Sequence, residues 1–292
     1  MTDFYHHPLT PKLFLQFLLL GLLCAAIFIP AAALLHAAGQ GVFSMAAGCS
    51  FVGILLPMGG HSQALVNFPA ATFAATRGSL VYWMGGYLFL TVLFLVIAFF
   101  PTAHSLVQNL FFQIAGFHLA LFGFLKEALV GWRDGQFRMT AEVMGWNPAT
   151  LGVFMILVGA GFTVLFAVRC VRTPGMSLLG GAGTAFGTAF ALWFLPAALF
   201  LAALLVSGPA AWIPLGALSA FVLLLVTLSP LVPQGDKMWP YPTFARPLYG
   251  LLLAAAIMVL LAVFLAGWGR GATPLTWGEP GARYSADPGI RL

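Results

Sequence analysis

His104 and His118 stand fourteen residues apart in an apolar stretch, Thr102 to Lys126, that is long enough to cross a bilayer. Fourteen helical residues rise about 21 Å through nearly four turns, so both imidazoles lie on one helix face. Gln108, Phe111 and Ala115 fall between them on that face, with Gly116 beside them, which leaves a partly hollow strip. His36 ends one apolar segment and His61 closes another. Paired imidazoles are axial ligands for haem, and neutral imidazole is also a ligand for copper or zinc. The haem b reading uses His118 with His61, and His104 with His36. The copper reading uses His118 and His61, with the thioether of Met58, three residues before His61.

The fourteen-residue spacing resembles the paired histidines of cytochrome b helices, and this resemblance covers His104 and His118. It implies axial ligation of haem b. A four-histidine cytochrome b core has two such helices, whereas this chain has one.

These histidines are set in a chain whose solvent must be mostly lipid. Of 292 residues, 61% are hydrophobic and 7% charged, against about 25% charged in soluble domains. The expected fold is an all-α integral membrane protein, a polytopic bundle of eight transmembrane helices. Residues 1–268 form one transmembrane domain and 269–292 a polar, extended tail. The expected spans are Leu13–Leu35, Val42–Gly60, Leu80–Phe100, Ser105–Leu125, Ala149–Val168, one within Leu178–Val206, Ala210–Leu231 and Pro247–Trp268. The first apolar run has 23 residues, too long for the core of a cleaved signal, and reads as an anchor. Lys126 to Pro148 is the longest polar connection; it holds Lys126, Glu127, Arg133, Asp134, Arg138 and Glu142. By these spans no Asp, Glu, Lys or Arg lies in a hydrocarbon core, which argues against proton pumping through a buried carboxylate. No HExxH or paired-carboxylate arrangement is present either, so hydrolysis of a peptide or phosphate is not expected.

The net charge of +5 fits loop residues placed by topology, not a nucleic-acid surface. An N-in, C-in orientation in a bacterial inner membrane puts Lys12, Arg77, Lys126, Arg133, Arg138, Arg270, Arg283 and Arg291 inside. It leaves Arg169, Arg172, Lys237 and Arg246 outside. In that frame His36 and His104 form an outer pair, and His61 and His118 an inner pair. The three cysteines, Cys24, Cys49 and Cys170, show no metal or disulfide spacing.

A weak inverted repeat links Phe68–Tyr82 with Tyr241–Gly250: each has an aromatic-Pro pair, Thr-Phe-Ala, Arg, and a Leu and Tyr leading into a span. Three functions follow. The first is a membrane redox or cofactor-handling protein with haem b or copper, supplied by quinol or by a partner subunit. The second is a small-solute or anion transporter or channel with Arg77 and Arg246 as contacts. The third is a structural or assembly subunit of a membrane complex.

Overall fold

The computed structural model describes residues 10–57, 61–67, 77–99, 106–172, 186–199, 216, 219–220, 246–267 and 274–278. Among these, helix α1 spans Pro11–Ala46. Strands β1 (Ser50–Leu55) and β2 (Gln63–Asn67) follow, then α2 (Arg77–Phe99) and α3 (Leu106–His118). A π-helical segment, Leu119–Leu125, joins α3 to α4 (Lys126–Arg133) without a break. Helices α5 (Phe137–Met144) and α6 (Pro148–Arg172) come next, then a second π segment at Phe190–Phe194. Helix α7 (Arg246–Leu265) and strand β3 (Leu275–Thr276) complete the described chain.

Among the described residues five helices are long and apolar enough to cross a membrane: Pro11–Ala46, Val81–Ala98, Leu110–Arg133, Pro148–Ala167 and Pro247–Leu265. Leu110–Arg133 is almost wholly buried among the others, which carry apolar side chains on their outer surfaces, among them Leu15, Val92, Leu157, Leu251 and Met258. In water such belts would be costly; hydrocarbon would cover them without loss. The expected sixth and seventh spans lie largely outside the described residues, as does most of the Phe68–Tyr82 and Tyr241–Gly250 repeat.

The expected second span, Val42–Gly60, is not a helix across its length. Helix α1 runs on past Leu35, through Pro30 without a break, to Ala46. Gly48 then adopts φ +84, and the Cys49 N–H donates to Ser44 O, which stops the helix. The run after it, Ser-Phe-Val-Gly-Ile-Leu, is short and rich in β-branched and aromatic residues. By periodicity alone such a run does not separate strand from buried helix. It pairs antiparallel with β2, and β3 pairs with its other edge, giving the order β2-β1-β3. Part of the polar tail is tied to the bundle: Leu275–Thr276 belongs to this sheet, and the Trp277 indole donates to Phe51 O.

With 36 residues α1 is about 54 Å long, against a hydrocarbon core of about 30 Å. It is the axis of the bundle. Helix α2 runs antiparallel to it, with Gly85 beside Phe43 and Gly86 beside His36. Helix α3 runs parallel, with the Phe28 and Phe111 rings 5.2 Å apart and Gly123 against Ala32. Helix α6 is antiparallel to α3 and α4, as Gly116 meets Phe166 and Gly159 meets Leu125. Helix α7 is parallel to α1, with the Tyr249 hydroxyl donating to Gln16 O at one end and Leu56 N–H donating to Ala266 O at the other. The C-terminal end of α1, the start of α2, the end of α4 and the sheet consequently share one end of the bundle.

Close backbone contact requires glycine at particular points. A Cβ on Gly39 would come within 2.6 Å of Phe89 Cβ and 3.0 Å of Gly85 O, whereas Gly161 has nothing within 4 Å. Gly39→Val is expected to destabilise the fold by about 1–3 kcal/mol through overpacking. Gly161→Ala is expected to be neutral or stabilising by up to about 1 kcal/mol. Thermal unfolding in detergent checks both; equal midpoints would refute this packing.

Candidate metal centre

Directly before β2, His61 and Ser62 lie against Gln40 of α1 and Glu127 of α4. Both are buried, as are His36 and Gln40 on α1 and Lys126 and Glu127 at the start of α4. Glu127 is the centre of the group. Its Oε1 accepts from Ser62 Oγ at 2.6 Å and from Lys126 Nζ at 2.6 Å. Its Oε2 accepts from the Ser62 backbone N–H at 3.0 Å and lies 2.8 Å from His61 Nδ1. Three hydrogen-bond donors and the close-set His61 ring therefore surround one carboxylate.

The imidazole protons follow from the neighbours. Ala64 N–H donates to Gln40 Oε1 at 3.0 Å, which fixes the other end of that amide as the donor. Gln40 Nε2 faces His61 Nε2 at 3.3 Å and, through a longer contact, His36 Nε2 at 3.5 Å. Both rings therefore accept at Nε2 and carry their proton on Nδ1. There His36 donates to Gly123 O at 3.2 Å, and His61 faces the Glu127 carboxylate. A ring whose Nδ1–H is held by a carbonyl or carboxylate while Nε2 stays basic has the outer-shell arrangement of metal-ligating histidine. One ligand atom from each of His36, His61 and Glu127 lies within 4.8 Å of the others, the separation needed to share an ion.

The π segment contributes to this placement. The Lys126 N–H reaches back to Leu121 O, so the helix takes in an extra residue. One inserted residue turns everything after it by about 100° relative to an uninterrupted α-helix. Gly123, within the segment, packs tightly on Ala32 and Leu90 and presents its carbonyl to His36. Aromatic rings enclose the group. Tyr87 meets His36 edge-on with centroids 4.7 Å apart, and Trp83 lies 5.6 Å from His61.

The structure redistributes the expected site residues. His36 and His61, expected at opposite depths, lie together with ring centroids 5.1 Å apart, because the chain between them turns back in a hairpin and does not cross the bundle. Lys126 and Glu127, expected in the polar connection after the fourth span, are instead buried within the apolar helix Leu110–Arg133. Glu127 and Gln40 are the residues that sequence reasoning missed. Glu127 looked like a loop residue because polar residues follow it directly, and Gln40 carried no spacing signal. His118 is fully buried at the start of the π segment among Phe117 and Phe122, and neither ring nitrogen has a hydrogen-bond partner among the described residues. Arg77 and Arg246 open α2 and α7 at opposite ends of the bundle, so they share no site. His104 and Met58 lie outside the described residues. Cys49 is buried, which raises its thiol pKa and makes it a poor nucleophile.

Removing one partner of a buried ion pair strands the other. Glu127→Leu is expected to cost about 3–5 kcal/mol by removing the carboxylate that the buried Lys126 ammonium faces at 2.6 Å. Lys126→Met combined with Glu127→Leu should recover most of that loss. Thermal unfolding of both variants measures the coupling; additive effects would show that the pair is not buried together. No family model matches this chain, nor does any curated protein or solved structure, and the side-chain chemistry alone carries its function.

Proposed function

We propose that this chain is a polytopic membrane protein that binds one transition-metal ion through His36, His61 and Glu127, in a redox or cofactor-handling role. The observation that carries the reading is the convergence of two imidazoles and a carboxylate, all buried, with one ligand atom of each within 4.8 Å of the others. Two nitrogens and one oxygen suit first-row divalent ions, with imidazole favouring zinc, copper and iron. A bare ion fits better than haem b at this pair. The two ring centroids are only 5.1 Å apart, and the place of a Cβ on Gly86 is only 2.7 Å from His36 Nε2, so a flat macrocycle has no slot there. In a redox role the electrons would come from a membrane donor, quinol or a partner subunit.

Purified full-length protein, stripped with chelator and dialysed against zinc, copper or iron(II), is expected to retain about one ion per chain. His36→Ala and His61→Ala should each weaken binding by at least about tenfold, the lower end of what even outer-shell losses cost. A chain that keeps no ion under any of these conditions overturns the reading.

Transport is the second reading. A buried ion pair within an apolar span marks ion and solute paths in membrane proteins, and Arg77 and Arg246 open helices at opposite ends, as two mouths would require. In reconstituted vesicles Arg77→Ala and Arg246→Ala should each reduce anion flux; unchanged flux in both removes this reading.

A further inference from the structure

Every lone pair that a metal ion would use already faces a positively polarised group of the protein. Gln40 supplies an amide NH2 to both imidazoles, and Lys126 supplies a full positive charge to Glu127. The ammonium is 2.6 Å from Oε1, and the two side chains are 6% and 0% exposed. A divalent ion entering beside that ammonium would meet strong repulsion, because the surroundings screen weakly. Ion and ammonium cannot both remain on the carboxylate.

We propose that Lys126 is a tethered cation occupying the ion position in the ion-free protein, and that a divalent metal binds by displacing its ammonium from Glu127. This rests on the metal reading above and adds to it a basis for selectivity. Tethering gives the ammonium a high effective concentration at the carboxylate. Sodium or potassium brings the same charge without the tether and loses that competition. A divalent ion brings twice the charge and also engages the two imidazoles. The four-carbon stem of Lys126 lets the displaced head reach toward the aqueous end of the bundle, where Arg133 and Asp134 are exposed.

The test labels wild-type, full-length protein in detergent with a small amine-acylating reagent and quantifies modified Lys126 by mass spectrometry. Zinc alone is the probe because it has no redox chemistry, and sodium and potassium serve as controls. Lys126 is expected to be protected without zinc, several-fold more reactive at saturating zinc, and unchanged by the monovalent ions. Zinc affinity of Lys126→Gln, measured by equilibrium dialysis, should be tighter than wild type by on the order of tenfold. Zinc binding by Lys126→Gln alone would show that the ammonium holds the position against zinc and would overturn displacement. Bound zinc with Lys126 still protected, or a Lys126→Gln affinity no tighter than wild type, overturns the exchange and leaves the metal site standing. Absence of zinc from both proteins overturns the exchange, and the metal reading itself falls if copper and iron(II) are not retained either. Should Lys126→Gln fail to fold, the labelling of wild type decides.

Discussion

A carboxylate taken out of water must be given back the hydrogen bonds it loses, and Glu127 imposes this condition on the whole upper end of the bundle. The backbone and hydroxyl of Ser62, the ammonium of Lys126 and the ring of His61 meet it together. Ser62 and His61, which supply all of these contacts but that of Lys126, lie on the return of the hairpin directly before β2, which ties that end of the strand to the bundle. Without the return, Glu127 would keep only its neighbour Lys126, and the cost of its burial would fall on a single ion pair.

The surrounding architecture serves that condition. Helix α1 is long enough to carry His36 and Gln40 beyond its apolar middle and into the layer where the strands fold back. Gly39, Gly85 and Gly86 bring α1 and α2 into backbone contact beside His36. The π segment turns the end of the fourth-span helix so that Gly123 O and the Glu127 carboxylate face this layer. Satisfied polar networks of this kind are rigid, because each group fixes the orientation of the next. Gln40 shows it clearly: a single backbone N–H at Ala64 settles its amide, and the amide then settles both imidazole tautomers.

That closed network also bears on chemistry. A carboxylate whose oxygens already face protein donors in the absence of an ion is stable as it stands, and any ion it accepts must offer more than the donors it replaces. A high positive charge combined with affinity for imidazole meets that requirement. The surplus of ligand lone pairs facing donors from Lys126 and Gln40 is what distinguishes this layer from the remainder of the core, where His118 lies among phenylalanines.

Composition and the length of the apolar runs were enough to determine a largely helical chain with bilayer-length segments near residues 13–35, 80–100, 105–125, 149–168 and 247–268, because segment length and transfer cost are additive along a chain. The same information singled out His36, His61 and His118 as polar groups in apolar surroundings. It could not pair them. The hairpin after Gly48 reverses the chain where a second span was expected, and this moves His61 to the depth of His36. A π turn, invisible in a 3.6-residue pattern, places Glu127 in the core even though polar residues follow it. Pairing, depth and tautomer depend on which backbone groups meet across elements, and only the tertiary structure decided those.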